Sequence, residues 1–339
     1  MTGYEQTLAA LRARPKTWLV TGAAGFIGSS LIEALISANQ TVVGFDNFTT
    51  GKRENIQLLT ALGGSRFTMR EGDIRNLDAC REACQGVDAI LHEAAQVSVP
   101  ASMEDPVTTH DVNTTGFMNV LLAAREKKVR RVVYASSCAV YGDSTRFPLT
   151  EDEPAHPLSP YAISKLANEV YAGSFCRSYG MTAVGLRYFN VFGPRQDPKG
   201  VYAAVIPLRA SAMIANSEIR IFGDGSTTRD FCYVGNVIQA NLLAATVELA
   251  PGTHEVANVA AGGRTSLNEL FALIRSALLP DHPHLKSFKA VHRDFRAGDI
   301  RHSQADITKA RRILGYSPAC TVEQGLHEAL AWYRNVGRR

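Results

Sequence analysis

A short apolar run, residues 18–20, is followed at once by three glycines spaced three apart, Gly22, Gly25 and Gly28. Apolar residues at helical spacing then continue to residue 36. A strand, a glycine turn and a helix in this order let the backbone approach a pyrophosphate, and the helix N-terminus offers free N–H groups and a positive dipole. The spacing, which differs from the commoner Gly-x-Gly-x-x-Gly, predicts a dinucleotide site.

Strand and helix patterns alternate after this point. Strands are predicted near 41–45, 66–71, 88–95, 131–137 and 182–187, with helices between them. This alternation is typical of an α/β protein with a doubly wound parallel (Rossmann) sheet. Beyond residue 188 the alternation fades, which predicts a smaller α/β substrate-binding lobe. We therefore expect a dinucleotide-binding domain over 1–187, to which a segment near 230–250 returns, and a second lobe over 188–339.

Asp46 ends the second predicted strand, where a carboxylate can accept hydrogen bonds from the adenosine ribose hydroxyls. Its charge would repel a 2′-phosphate. The sequence therefore favours NAD over NADP as the cofactor.

Tyr161 and Lys165 are four residues apart in a predicted helix, so they project from one face. An ammonium beside a phenol favours the phenolate, and we expect Lys165 to bring the tyrosine pKa well below about 10. Ser136 and Ser137 end the predicted strand 131–137, and ligands of parallel sheets bind at such carboxyl ends. These residues predict acid–base chemistry beside the dinucleotide.

Composition narrows the choice of partner and compartment. The net charge of +4 is small and no basic run stands out, so nucleic-acid binding is not expected. No apolar run approaches the roughly 18 residues of a membrane span, and the N-terminus does not read as a secretory signal. The six cysteines lack zinc spacing. We expect a reduced cytoplasmic protein without a metal site.

A set of motifs spread along the chain resembles the extended short-chain dehydrogenase/reductase family, in particular its nucleotide-sugar 4-epimerases. The resemblance is closest to bacterial enzymes of polysaccharide biosynthesis that act on UDP-N-acetylglucosamine (UDP-GlcNAc). The residues that carry it are Gly22/Gly25/Gly28, Asp46, Asp73-Ile74, Ser137, Tyr141-Gly142, Tyr161/Lys165, the segment 187–190, Arg229-Asp230 and the segment 296–299.

The resemblance implies a mechanism and a set of contacts. Tyr161 removes the O4 proton, Lys165 lowers its pKa and contacts the nicotinamide ribose, and Ser137 hydrogen-bonds O4. A 4-keto intermediate then turns over and takes hydride back on its other face. The implied NAD contacts are Gly22, Gly25, Phe26, Ile27, Gly28, Asp46, Asn47, Thr50, Gly51, Asp73, Ile74, Ala94, Ala95, Gln96, Tyr161, Lys165 and Tyr188. The implied UDP-sugar contacts are Ser137, Cys138, Asn190, Ala204, Val205, Arg229, Arg296, Asp299 and Ser303.

Four positions bear on the reaction and the sugar. Related dehydratases and decarboxylases carry acids just after the serine, whereas Cys138 and Ala139 stand here, which counts against a lyase. The small Ser303 favours an N-acetylated sugar, while Val97 and Cys138 depart from the residues of the closest epimerases. A 4-epimerase of UDP-glucose or a UDP-uronic acid, a dehydratase, and a catalytically silent NAD-binding regulator stay open as alternatives.

The resemblance also implies an assembly. The predicted helices near 106–127 and 160–179 are similar to those that pair as a four-helix bundle in the homodimers of this family. We therefore expect a homodimer.

Overall fold

The computed structural model describes residues 3–198, 204–295 and 301–336. Its main sheet holds seven parallel strands among these residues, in the order β11-β6-β5-β4-β1-β2-β3. They are β1 (Thr17–Thr21), β2 (Thr41–Asp46), β3 (Phe67–Glu71), β4 (Ala89–His92), β5 (Arg131–Ser137), β6 (Thr182–Tyr188) and β11 (His254–Val259). The predicted α/β Rossmann-type fold is confirmed.

Helices cover the sheet and build the second lobe. The first half contains α1 (Gly3–Ala13), α2 (Phe26–Ser37), α3 (Arg53–Gly63), α4 (Leu77–Ala83), α5 (Val99–Glu104), α6 (Pro106–His110), α7 (Gly116–Glu126) and α8 (Pro160–Tyr179). The second half contains α9 (Val205–Ile214), α10 (Val234–Thr246), α11 (Leu267–Leu278), α12 (Thr308–Leu314) and α13 (Val322–Val336). The long helix predicted near 106–127 is present as α6 and α7, joined by one π turn, Asp111–Thr115.

The smaller strands form two-stranded sheets. They are β7 (Val191–Phe192), β8 (Arg220–Phe222), β9 (Thr228–Arg229), β10 (Cys232–Tyr233), β12 (Thr265–Ser266) and β13 (Val291–Arg293). β7 pairs with β10, β9 with β12, and β8 with β13. Helix α11 begins at Leu267, directly after β12, and α12 begins at Thr308.

Side chains alternate between the two faces of the main sheet, as the strand period requires. Val20, Leu91 and Val133 belong to a core cluster shared with α2 and α10. Their neighbours Leu19, Ile90 and Val132 belong to a second cluster, shared with α4, α7 and α8. Such strands, buried on both faces, are typical of parallel sheets.

A third core cluster lies in the second half and joins α9, α11 and α13. The returning part of the chain is longer than the predicted 230–250, because β11 pairs with β6 and α12 contributes Ala310 and Leu314 to the first cluster. Strand β11 was missed in the sequence.

Candidate active site

The glycine turn between β1 and α2 is fixed by close packing. Gly22 has φ 67°, and a Cβ on it would lie 2.8 Å from the Ala94 nitrogen. A Cβ on Gly28 would lie 2.1 Å from the Gly22 carbonyl oxygen. Gly25 stands at the N-cap of α2. The first and third glycines therefore bring α2 against the strand ends and leave its N-terminus open to an anion.

Asp46 holds this turn in place. Its carboxylate accepts hydrogen bonds from the Ala24 nitrogen (2.9 Å) and from the Phe48 nitrogen (2.8 Å). Each carboxylate oxygen can accept more than one hydrogen bond, so capacity remains for ribose hydroxyls. Gly51 packs behind the turn, where a Cβ would lie 2.6 Å from that of Ala24.

Asp73 follows β3 and is anchored beside Asn47. Arg75 donates to both Asp73 oxygens and Asn47 to one of them, at 2.7–3.0 Å. The Arg75 hydrogen bond and charge lower the pKa of Asp73 to about 2. Asp73 is therefore an anion at neutral pH, at the same sheet edge as Asp46.

One cavity of about 600 Å³ lies along the carboxyl edge of the sheet. The predicted cofactor residues that line it are Gly22, Gly25, Phe26, Ile27, Gly28, Asp46, Asn47, Thr50, Asp73, Ile74, Ala94, Ala95, Gln96, Tyr161, Lys165 and Tyr188. Ser137, Cys138 and Asn190 line it too. The backbone cradle at Gly22 and Gly28, with two aspartates at the far strand ends, fits a dinucleotide without a 2′-phosphate.

Ser137, Tyr161 and Lys165 meet in this cavity. Ser137 is the last residue of β5, and its register partner on β6 is Tyr188. Helix α8 begins one residue before Tyr161, where the Ser159 hydroxyl caps it by accepting from the Ala162 nitrogen at 3.2 Å. One turn later Lys165 is 2% exposed, and its ammonium donates to the Ala135 carbonyl at 2.9 Å.

The electrostatics of Tyr161 differ from the expectation. Burial raises the pKa of Tyr161 to about 12, and a hydrogen bond with Ser137 only partly offsets this. Burial likewise lowers the pKa of Lys165 to about 8. In this structure the Lys165 ammonium is bonded to Ala135 and lies 5.9 Å from the centre of the phenol ring, and its effect on the tyrosine pKa stays a prediction.

The predicted UDP-sugar contacts are only partly brought together. Asn190, with φ 33°, donates to the Asp230 carbonyl (3.0 Å) and to the Ser303 hydroxyl (3.2 Å). Ser303 is 8% exposed and thus does not face solvent. Cys138 follows Ser137 in the cavity, and burial raises its thiol pKa to about 11, so it is neutral at physiological pH.

Four of the described contacts do not line this cavity, namely Ala204, Val205, Arg229 and Ser303. The Arg229 guanidinium donates to the Thr228 carbonyl (2.9 Å) and to the Arg301 carbonyl (3.2 Å). Ala204 is the N-cap of α9 and Val205 its first residue. Arg296 and Asp299 lie outside the described residues.

Two features of the site were missed in the sequence. Glu93, directly after β4, lines the cavity and accepts a hydrogen bond from the Tyr188 hydroxyl at 2.9 Å. Behind Ser137, Glu169 forms a buried ion pair with Arg187 (2.7 Å) and accepts from the Ser136 hydroxyl (2.5 Å). A polar residue ending a buried strand was the available signal for Glu93, whereas the ion pair joins β5, β6 and α8 and has no local signature.

Two features of the described residues concern metal ions and membranes. They contain no group of three or more His, Cys, Asp or Glu side chains arranged to hold a metal ion. None of the helices they form is long and apolar enough to cross a bilayer.

Comparison with known proteins gives the family. Residues 18–260 match the model of the NAD dependent epimerase/dehydratase family. A UDP-glucose 4-epimerase of Mycolicibacterium smegmatis is 37% identical over 320 residues, covering 94% of this chain and 98% of the relative.

Two solved structures extend the likeness to the whole chain. The UDP-N-acetylglucosamine 4-epimerase of Methanobrevibacter ruminantium, in complex with UDP-N-acetylmuramic acid, superposes with a TM-score of 0.87 at 36% identity, covering 95% of this chain and 99% of that one. A mutant UDP-glucuronic acid 4-epimerase of Bacillus cereus, bound to UDP-4-deoxy-4-fluoroglucuronic acid and NAD, gives 0.84 at 30% identity, covering 94% and 99%. The fold, the glycine cradle and the match to the family model together show that this chain is a member of the NAD-dependent epimerase/dehydratase family.

Proposed function

We propose that this protein is a UDP-sugar 4-epimerase whose preferred reaction interconverts UDP-GlcNAc and its 4-epimer, UDP-GalNAc. The observation that carries the proposal is the meeting of Ser137, Tyr161 and Lys165 in one cavity with the glycine cradle. A hydroxyl, a phenol and an ammonium at the dinucleotide site are the groups that oxidation of a secondary alcohol requires.

The residues divide the work as follows. Tyr161, as phenolate, takes the proton from the sugar O4, and Ser137 hydrogen-bonds the same oxygen. Lys165 supplies the positive charge that favours the phenolate once the site is loaded. NAD⁺ supplies a hydride acceptor that later returns the hydride, so the cycle has no net redox change. Asn190 and Arg229, with Arg296, hold the diphosphate while the 4-keto sugar turns over.

The preference for an N-acetylated sugar rests on position 303. Ser303 is small, buried and hydrogen-bonded to Asn190, so its volume affects the substrate side of the site. The named activity of the Methanobrevibacter relative is consistent with this choice. UDP-glucose and UDP-glucuronate stay as alternative substrates, because other relatives carry those activities in their names.

A lyase reaction is disfavoured by the residues after Ser137. Cys138 is a neutral thiol and Ala139 is apolar, so neither provides the acid that elimination of water needs. A regulator without activity would have no use for Tyr161 and Lys165 together with Ser137.

Proton NMR of the purified protein with UDP-GlcNAc and no added reductant tests the proposal. We expect UDP-GalNAc signals that approach a fixed ratio. Conversion of only UDP-glucose or UDP-glucuronate in parallel samples would keep the mechanism and overturn the preference. A 4-keto-6-deoxy product would show a dehydratase, and no conversion of any of these sugars by NAD-loaded protein would favour the regulator.

Tyr161→Phe is the matched control for that experiment. We expect it to retain bound NAD and to lose about a thousandfold in turnover, since general acid–base catalysis contributes on that order. Full activity in this variant would contradict the mechanism.

We further propose a cytoplasmic homodimer that makes a precursor for surface polysaccharide. Helix α8 exposes Ile163 (55%) and Val170 (64%), and the neighbouring α6 exposes Val107. Exposed apolar side chains on neighbouring helices suit isologous pairing with a second copy. Sedimentation at micromolar concentration should give a dimer, which Val170→Glu should dissociate; a monomer in both cases would contradict this arrangement.

A further inference from the structure

Glu93 is a third ionisable group in the cavity that holds Tyr161 and Lys165. Its backbone nitrogen donates to the Thr21 carbonyl at 3.3 Å, which keeps it at the edge where β1 and β4 end. Its side chain is held from the other side by the Tyr188 hydroxyl, at 2.9 Å. The Asn241 amide on α10 donates in turn to that hydroxyl, at 2.8 Å.

We propose that Glu93 is a positioning residue whose carboxylate sets the charge states of Tyr161 and Lys165. This inference deepens the proposed function and rests on it for its meaning in catalysis. Glu93 itself contacts Tyr188 and need not contact the sugar.

The direction of the effect follows from the sign of the charge. A carboxylate favours a nearby ammonium and disfavours a nearby phenolate, so it raises the pKa values of both Lys165 and Tyr161. Burial raises the pKa of Glu93 itself to about 7, against hydrogen bonding by Tyr188 and the charge of Lys165. Glu93 and Lys165 thus titrate in overlapping pH ranges, so the charge of each depends on the other.

The other titratable groups around Glu93 do not change their charge near neutral pH. From β6, Tyr188 stays protonated because burial raises its pKa. Behind it Cys232 is a neutral thiol for the same reason. On Glu93's own side, burial lowers the pKa of His92 to about 3, and its ring is hydrogen-bonded to Thr21 (2.9 Å). Asn241 carries no charge. Among the described residues that face Glu93, the ionisable pair is therefore Tyr161 and Lys165.

Glu93→Gln tests the inference, because a glutamine oxygen can still accept from Tyr188. In NAD-loaded protein without sugar, tyrosinate absorbance is titrated with pH, and the same titration of a Tyr161→Phe background is subtracted. We expect the ionisation midpoint of Tyr161 to fall by about one pH unit in Glu93→Gln. An unchanged midpoint would overturn the proposal.

Two further variants serve as controls for charge and for specificity. Glu93→Asp keeps the charge, so the Tyr161 midpoint should return toward that of the unaltered protein. If the midpoint in Glu93→Asp equals that in Glu93→Gln, the shift comes from packing and the proposal is overturned. Glu151→Gln removes a partly buried carboxyl that accepts from the Asn258 nitrogen at 2.6 Å and does not line the cavity. It should leave the Tyr161 midpoint in place, and an equal shift there would count against a specific role for Glu93.

The pH dependence of turnover gives a second readout. With an active sugar, both limbs of the profile should move to lower pH in Glu93→Gln, because the base and the ammonium lose the same negative neighbour. The absorbance titration needs no substrate, so it decides the role of Glu93 even if no UDP-sugar is converted and the proposed function fails.

Discussion

The cofactor side and the substrate side of the site are built in different ways. On the cofactor side, the backbone at Gly22 and Gly28 forms the cradle, and close main-chain contacts fix its shape. On the substrate side, Asn190 reaches Ser303 across 113 residues of sequence through one side-chain hydrogen bond. The comparison shows that the dinucleotide cradle is shaped by main-chain packing, whereas the contact between Asn190 and Ser303 depends on side chains that can be exchanged singly.

The largest expected effect is on the cofactor side. Gly28→Ala places a methyl group 2.1 Å from the Gly22 carbonyl oxygen, so the turn must open. We expect nearly complete loss of bound NAD, measured by release of nucleotide from denatured protein.

Gly263→Ala is its matched control on the substrate side. A Cβ at Gly263 would have no heavy atom of the described residues beyond its chain neighbours within 4 Å, so NAD content should be unchanged. If Gly28→Ala retained the cofactor as well as this control does, the cradle would not depend on its main-chain packing.

The next effect concerns the scaffold directly behind Ser137. The side chains of Arg187 and Glu169 are each 7% exposed, so Arg187→Met leaves a buried carboxylate uncompensated. We expect a loss of about 3–5 kcal/mol in the free energy of unfolding, measured with denaturant.

The exposed pair Arg53 and Glu71, with side chains 62% and 58% exposed, provides the control. Arg53→Met should cost much less, because exposed ion pairs are screened by solvent. Equal losses in the two variants would show that burial does not distinguish these pairs.

A pH effect of intermediate size should come from Glu93. Its carboxyl pKa is raised from 4.5 to about 7 in the folded protein, because burial favours the neutral form. The contribution of this group to the free energy of unfolding is therefore fully present below pH 4.5 and is lost as the pH rises through 7. The free energy of unfolding of NAD-free protein should therefore fall between pH 5 and pH 8, by about 2 kcal/mol more than in Glu93→Gln.

Asp230 serves as an internal reference for this measurement. Burial also raises its pKa to about 7, so its contribution has the same sign and persists in the Glu93 variant. Parallel pH profiles for the two proteins would contradict the burial of a protonated Glu93.

The smallest effect is a change of preference between sugars. Ser303→Tyr fills a buried position beside Asn190, so we expect the ratio of kcat/KM for UDP-GlcNAc over UDP-glucose to fall about tenfold, which corresponds to about 1.4 kcal/mol. Bound NAD should stay constant, as should both quantities in the exposed control Ser217→Tyr. A loss of NAD in Ser303→Tyr would contradict the separation of the two sides.

Local patterns predicted the cofactor side well. The glycine spacing, the strand that ends at Asp46 and the helical spacing of Tyr161 and Lys165 each depend on residues close in sequence, where steric and periodic rules act. The structure confirmed the fold and placed these side chains around one cavity.

Features that depend on contacts between distant parts of the chain were harder to predict from the sequence. Strand β11 belongs to the main sheet only through its pairing with β6, and the Glu169–Arg187 pair joins separate elements. Burial raises the pKa of Tyr161, and this contribution cannot be read from a four-residue spacing. Position 303 was identified through resemblance, while its contact with Asn190 required the fold.

The chain passes repeatedly between the core cluster that the sheet shares with α2 and α10 and the cluster that joins α9, α11 and α13. It crosses between Phe189 and Phe192, between Phe231 and Cys232, and again before Leu270, before Ala305 and before Leu326. The second half of the chain is therefore not a separable module, because moving it onto another sheet would require cutting and rejoining the chain at every crossing. New specificity is more readily reached by substitution within this interlaced chain than by exchange of a module.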